Sequence, residues 1–241
     1  MLFRSRTSGP SGKVTADPVR QTTAPTKTAP SPLSGFAGLD LASWGDGWPP
    51  DTTGDVGPTH YIQAVNTALA IFDKATGTRL AAFTFDAFFS AAGASGVCTS
   101  TNQGDPTVIY DQYSGRWILS DFAFSSMSGP FSQCLAISKT ADPVSGGWWT
   151  YKITAGTTDM NDFPKMSVWP DGIYMTANMF RGGSIYVGAK VWAIDRTPLL
   201  SGSSASVVSF QLGSQAYSLL AANARATAVP AGTAPYLLTL Q

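Results

Sequence analysis

Aspartates recur at regular points of this chain, and their carboxylates are the groups best suited to chemistry. Asp55, Asp105 and Asp162 each belong to an Asp and Pro segment that precedes an aromatic-led apolar stretch. Two carboxylates about 5 to 9 Å apart can act as acid and as nucleophile or base in glycoside cleavage. Aspartates in turns also bind nearby backbone N–H groups. The pattern therefore predicts either a ligand site lined by these side chains or a repeated turn cap.

Other polar residues stand close to these aspartates in the sequence. Lys165 follows an Asp-Phe-Pro tripeptide, where it could pair with the acids, hold an anionic ligand group or lie on the surface. Asn66, Asp121 and Asn178 fall four or five residues into the aromatic-led stretches. We predict that these three point into a central channel and hold ordered water or a ligand.

Metal ligands are sparse. Asp51-Thr-Thr-Gly-Asp55 offers two carboxylates around a turn, which suits calcium but lacks the longer loop of an EF-hand. The single histidine, His60, has no second His or Cys close by to suggest a transition-metal site. We predict no cofactor and no metal, with calcium at Asp51 and Asp55 as the alternative to a plain turn.

The charge balance excludes several classes of function. Fifteen Lys and Arg match fifteen acids, so no net field favours nucleic acid. All the acids are Asp and none is Glu, which limits acid and base chemistry to Asp, His60, Tyr and Lys. The sequence has no nucleophile elbow, phosphate loop or Cys-x-x-Cys. No stretch of 18 apolar residues is present, so no membrane span is expected.

A repeat supplies the elements that would position these side chains. Aromatic residues open apolar strands at Tyr61, Trp117, Tyr174 and Tyr236, which are 56, 57 and 62 residues apart. In each complete unit a second strand, a turn and a third β-rich run follow. The predicted second strands are Ala68–Asp73, Cys134–Ser138 and Val191–Asp195, and the third runs are Arg79–Phe85, Trp148–Ile153 and Ser206–Leu212.

These units predict an all-β fold, a β-propeller over residues 36–241, because radial repetition shields the edges of small sheets. No amphipathic helix is predicted. We count about three and a half blades of an expected six to eight, which predicts an incomplete propeller and a truncated chain. A Greek-key sandwich is the competing arrangement. Residues 1–35 read as a Ser/Thr/Pro-rich linker, and the opening Met1–Ser5 resembles a translated sequencing adapter, an artificial start.

Three segments resemble a widespread group of secreted bacterial proteins, often multidomain, that are predicted to contain propellers and have no agreed activity. The resemblance covers roughly residues 45–241 and implies export and a propeller fold, with no catalytic residues to carry over. A more distant likeness is to sialidase-like propellers, although the chain has neither an Asp-box nor Glu. The segments are Pro49-Pro-Asp-Thr-Thr-Gly-Asp-Val-Gly-Pro58, Gly104-Asp-Pro-Thr-Val-Ile-Tyr-Asp-Gln-Tyr-Ser-Gly-Arg-Trp117 and Asp162-Phe-Pro-Lys-Met-Ser-Val-Trp-Pro-Asp171.

The two cysteines of the chain are relevant to the cellular compartment in which the protein is found. An even count in an exported protein predicts a Cys98–Cys134 disulfide, with two buried thiols as the alternative.

The expected function is that of a secreted or cell-surface propeller that binds carbohydrate or protein without catalysis. The alternative is an extracellular glycoside hydrolase or lyase with carboxylates in its funnel. Five tryptophans could stack on sugar rings or pack between blades: Trp44, Trp48, Trp148, Trp149 and Trp169.

Overall fold

The structure, a computed structural model, describes residues 23, 30–32, 34–46, 48–225, 229–230 and 232–239. The chain divides into two units, Met1–Ala37 and Gly38–Gln241. The described residues of the first unit form neither helix nor strand, and most of the predicted linker over residues 1–35 lies outside the described residues. Within the described part of the chain, no helix combines the length and hydropathy needed to cross a bilayer.

Short strands dominate the second unit. The described elements, in chain order, are α1 (Leu41–Trp44), β1 (Thr53–Val56), β2 (His60–Val65), β3 (Ala68–Asp73), β4 (Arg79–Thr84), α2 (Phe85–Ala91), a 3₁₀ turn (Gly96–Thr99), β5 (Asn102–Asp111), β6 (Arg116–Ala123), β7 (Phe131–Ser138), β8 (Trp148–Gly156), β9 (Asp159–Trp169), β10 (Gly172–Arg181), β11 (Ile185–Asp195), α3 (Arg196–Leu199), β12 (Val207–Gln211), β13 (Leu220–Ala221) and β14 (Leu237–Leu238).

Three antiparallel sheets repeat one topology. Strands β1 to β4, β5 to β8 and β9 to β12 each form a four-stranded meander in sequence order, and β13 pairs with β14. The first strands lie side by side, since β5 contacts both β1 and β9, and β13 contacts β9. Consecutive meanders that meet at their first strands are propeller blades. The all-β, propeller-type prediction is confirmed, and we call the three meanders blades 1 to 3.

The aromatic-led strands occupy the same position in every blade, as the repeat predicts, and the structure shows that this position is the second. Their registers differ by one residue in blade 3. Counting from the hairpin turn, Tyr61, Trp117 and Ile173 are equivalent, and Tyr174 comes one residue later. Because side chains alternate along a strand, Tyr174 faces away from Ile173. Its hydroxyl donates to Asp171 instead of entering the core between the blades.

The core lies between the blades. One apolar cluster joins blades 1 and 2 and includes Ile62, Trp117 and Cys134, while a second joins blades 2 and 3. Blade 2 is covered on both faces, so all eight residues of β7 are buried. In contrast, every residue of β12 is exposed. A continuous apolar run is therefore explained by burial on both faces, as in β7.

One helix contradicts the expectation that no amphipathic helix is present. Strand β4 leads into α2, where the Thr84 hydroxyl accepts a hydrogen bond from the Ala87 N–H and caps the first turn. Phe85, Phe88 and Phe89 fall at helical spacing and are buried against blade 2. In the sequence, Thr84 before Phe85 and the spacing of the three phenylalanines indicate a helix, although the same run also resembles a strand.

The predicted disulfide is confirmed. Cys98 lies in the 3₁₀ turn and Cys134 in β7, with their Cα atoms 5.7 Å apart. Both cysteines belong to the apolar cluster between blades 1 and 2. The bond therefore ties the connection that enters blade 2 to that blade's third strand.

Candidate functional site

A strained backbone point recurs before or within the first strand of each blade. Asp51, Asp105, Phe163 and Ser218 are the described non-glycine residues with positive φ, at 43°, 49°, 54° and 48°. The first three are equivalent when counted back from the hairpin turn. The left-handed region is tolerated by Asp and costly for a bulky side chain such as Phe. The surrounding structure therefore holds the backbone of each blade in the left-handed conformation at this point.

The predicted equivalence of Asp55 with Asp105 and Asp162 is wrong. Asp55 lies inside β1 and pairs with Ile62, two residues before the turn, whereas Asp105 stands six residues before the end of its strand. Asp51 is the blade 1 counterpart of Asp105, and Asp162 precedes the counterpart in blade 3. The number of residues between each aspartate and the following hairpin turn would have shown in the sequence which aspartates are equivalent.

Asn66 and Asn178 bind the backbone of a neighbouring blade. The Oδ1 atom of Asn66 accepts from the Asp105 N–H at 2.8 Å, and that of Asn178 accepts from the Ser218 N–H at 2.9 Å. The amide nitrogen of Asn66 donates to Asp51 Oδ2 at 2.7 Å. These side chains therefore form hydrogen bonds from one blade to the backbone of the next, and we call each such bond a latch. The prediction that they line a channel did not include this role.

The junction of blades 2 and 3 uses a different latch. Phe122 stands where blades 1 and 3 have asparagine, and the Asp105 carboxylate takes over. Its Oδ2 accepts from the Phe163 N–H at 2.9 Å. One carboxylate thus fixes the strained point of the next blade.

Three aspartates and one lysine lie around this latch. We call these four side chains the axial cluster: Asp51, Asp105, Asp162 and Lys165. Burial, followed by the charge of Asp162, raises the pKa of Asp105 to about 6, against the opposing effects of the Phe163 N–H and Lys165. Burial lowers the pKa of Lys165 despite the three aspartates nearby. The Lys165 Nζ also lies 4.0 Å from the centre of the Phe163 ring. Carboxylates and an ammonium group from three blades thus share one electrostatic environment.

Asp121 does not lie in an open channel. Its side chain is fully buried, and Oδ2 accepts a long hydrogen bond of 3.4 Å from the Gly104 N–H. Burial raises the pKa of Asp121 well above its ordinary value, and the charges of Asp105 and Asp86 add to that rise. The expectation of a channel-lining role is therefore wrong for this residue.

Asp55 forms a separate ion pair. Arg225 donates to both of its carboxylate oxygens, at 2.8 and 2.6 Å, and the Tyr110 N–H donates at 2.7 Å. The hydrogen bonds to Asp55 raise the pKa of Arg225. Sequence reasoning missed Arg225, since it lies in a fourth copy that lacks the aspartate signal.

The two carboxylates of the calcium alternative therefore have different partners, Asn66 for Asp51 and Arg225 for Asp55. Among the described residues, no three His, Cys or Asp side chains are grouped so as to hold a metal.

The five tryptophans differ in exposure. Trp48 is 80% exposed and is three residues from Asp51. Trp169 is buried, and Trp148 packs edge-on against Phe88. The other two carry cations over their rings, Arg79 on Trp44 and Lys139 on Trp149. Trp48 is therefore the tryptophan with the most open face for a ligand.

Two described cavities include none of the four axial-cluster side chains in their lining. One, of about 340 Å³, is lined by residues of β3, β4 and α2 and of the loop before β8. The other, of about 180 Å³, lies beside Trp48 and Pro50. The second cavity is lined by exposed Trp48 and by Pro50 and Thr52, the sequence neighbours of Asp51, so it adjoins the blade 1 member of the axial cluster.

No family model matches the chain, and no curated protein matches it. Among solved structures, the chain resembles an exo-1,5-alpha-L-arabinanase from a bovine ruminal metagenomic library, with a TM-score of 0.39 and 11% sequence identity. The match covers 67% of this chain and 52% of the arabinanase chain, so this chain spans about half of the arabinanase's length. The fold is defined by the chain's own sheet topology.

Proposed function

We propose that this protein is a secreted or cell-surface propeller module that binds carbohydrate at the axial cluster without cleaving it. The observation that carries the proposal is the convergence of Asp51, Asp105, Asp162 and Lys165 from three blades. Carboxylates accept hydrogen bonds from sugar hydroxyls and an ammonium group donates them. Exposed Trp48 adds an apolar face on which a sugar ring can stack.

The existing bonds of the carboxylates favour binding over catalysis. Asp105 accepts from the Phe163 N–H of the next blade, and Asp51 accepts from the Asn66 amide within blade 1, so one oxygen of each carboxylate is already engaged. A nucleophile or base needs an oxygen that is free to reach the substrate. The disulfide supports export, since such bonds persist in oxidising compartments.

A polysaccharide panel tests the proposal. The full chain is passed over immobilised neutral, acidic and amino polysaccharides, and both retention and released reducing ends are measured. We expect retention on at least one polymer and no release of sugar. Lys165→Met should weaken retention about tenfold, because a partly buried donor is lost.

Asp46→Asn, at an exposed aspartate outside the cluster, is the matched control and should leave retention unchanged. Equal retention of Lys165→Met and the parent would contradict the site, and no retention on any polymer would contradict carbohydrate binding.

A glycoside hydrolase is the second candidate, and the raised pKa of Asp105 favours it. A carboxyl with a pKa of about 6 is partly protonated near neutral pH, as a general acid must be. Asp162 would then supply the second carboxylate. This candidate predicts sugar release that falls above about pH 6 and is abolished in Asp105→Asn.

A further inference from the structure

A second polar group lies between blades 1 and 2, next to the disulfide. The Asn102 amide nitrogen donates to Asp86 Oδ1 at 2.7 Å and to the Cys98 carbonyl at 2.6 Å. The Asn102 N–H also donates to Asp86 Oδ1, at 3.0 Å. Together with Asp121, these side chains form what we call the interblade cluster: Asp86, Asn102 and Asp121.

Two oxygens of this cluster accept no hydrogen bond. They are Asn102 Oδ1 and Asp121 Oδ1, on side chains that are 8% and 0% exposed. A buried polar atom without a partner is costly, and a buried carboxylate more so. Both oxygens are acceptors when Asp121 is ionised, so they cannot satisfy each other. A bound cation would satisfy both.

The strand register brings the two oxygens to one side of blade 2. Asn102 pairs with Ala123, and Asp121 lies two residues before Ala123 on β6, so it projects from the same face. Diagonal positions on one face lie roughly 7 to 8 Å apart, which leaves room for an ion between two short side chains. Asp121 also pairs with Cys134, whose disulfide partner Cys98 provides the carbonyl that binds Asn102. The disulfide therefore holds both walls of the cluster.

No described ion pair neutralises the charge of the cluster. The described ion pairs involve Asp159, Asp111 and Asp55, and none includes Asp86 or Asp121. The charged groups that act on Asp121 are both acidic, Asp105 and Asp86. Two carboxylates and an amide oxygen, with no cationic side chain, match the ligands of a hard divalent cation.

We propose that Asp86, Asn102 and Asp121 form a buried site for a hard divalent cation of the calcium type, which joins blades 1 and 2. Calcium fits better than magnesium, because it accepts irregular oxygen geometry at about 2.3 to 2.6 Å whereas magnesium demands octahedral geometry and retains its water. The proposal is independent of the carbohydrate site.

Thermal and urea unfolding of the full chain, after chelator treatment and with added calcium, tests this site. At a calcium concentration one hundred times the dissociation constant, the unfolding equilibrium constant should fall about a hundredfold. Magnesium at the same concentration should have a much smaller effect. Terbium luminescence, sensitised by Trp117 in the adjoining core, should give one bound ion per chain.

Asp121→Asn should lose the calcium effect and the terbium signal, and Asn102→Ala should weaken both. Asp46→Asn and Asp162→Asn should keep them, which separates this site from the axial cluster. If Asp121→Asn does not fold, Asn102→Ala and the terbium stoichiometry of the parent still decide. Unfolding that is insensitive to calcium, or stabilisation by falling pH alone, would overturn the proposal, since a proton would then be the partner of Asp121.

Discussion

Replacing Asp105 by Asn should stabilise the protein at neutral and alkaline pH. The carboxyl's pKa is raised from 3.8 to about 6, so ionisation in the folded state is opposed by burial and by Asp162. At 1.36 kcal/mol per pKa unit, the full cost is about 3 kcal/mol. The side chain is only partly shielded from water, so we expect about 1 to 2 kcal/mol. Asn keeps an oxygen that can accept from the Phe163 N–H.

The direction of the pH dependence follows from the protonation of Asp105 in the folded and unfolded chains. Below pH 3.8 the carboxyl is protonated in both folded and unfolded chains, and it contributes no pH dependence. Between pH 3.8 and about 6 the folded chain binds more protons, so stability falls as pH rises. Above about 6 both states are ionised, and the whole cost is present. The gain from Asp105→Asn should therefore be close to zero at pH 3.5 and complete at pH 8.

Urea unfolding followed by tryptophan fluorescence measures this difference, with chelator present and with Asp46→Asn as the control. The free energy of unfolding of Asp105→Asn minus that of the parent is plotted against pH. A variant that is less stable than the parent at pH 8, or a difference that does not change with pH, would refute the reasoning.

Three further predictions concern the joints between the blades. Replacing Cys98 and Cys134 by Ser should cost about 3 to 4 kcal/mol, since the bond closes a separation of 36 residues, and reduction of the parent should lower the urea midpoint equally. Asp55→Ala should cost about 2 to 4 kcal/mol, because it strands the buried Tyr110 N–H and removes the partner of Arg225; an unchanged urea midpoint would contradict this. Gly104→Ala should lower the melting temperature by several degrees, because its φ is 115° and a Cβ would lie 2.5 Å from the oxygen of the blade 1 latch; an unchanged melting temperature would contradict that contact.

The sequence alone determined the architecture of this protein. The strands, their order and the propeller-type repeat were predictable, because alternation and turn residues act over short distances. The predicted strand Ala68–Asp73 coincides with β3, whereas β7 and β11 end where predicted but begin three and six residues earlier, at Phe131 and Ile185. The disulfide was also predictable, since two cysteines allow a single intramolecular pairing.

Tertiary structure decided which side chains meet. The latch from Asn66 to Asp105 spans 39 residues, and the ion pair from Arg225 to Asp55 spans 170. Such contacts depend on register, and a one-residue difference, like that at Tyr174, turns a side chain to the opposite face. The sequence therefore predicts that aspartates recur, but only the packing of blade against blade decides that Asp51, not Asp55, shares an environment with Asp105.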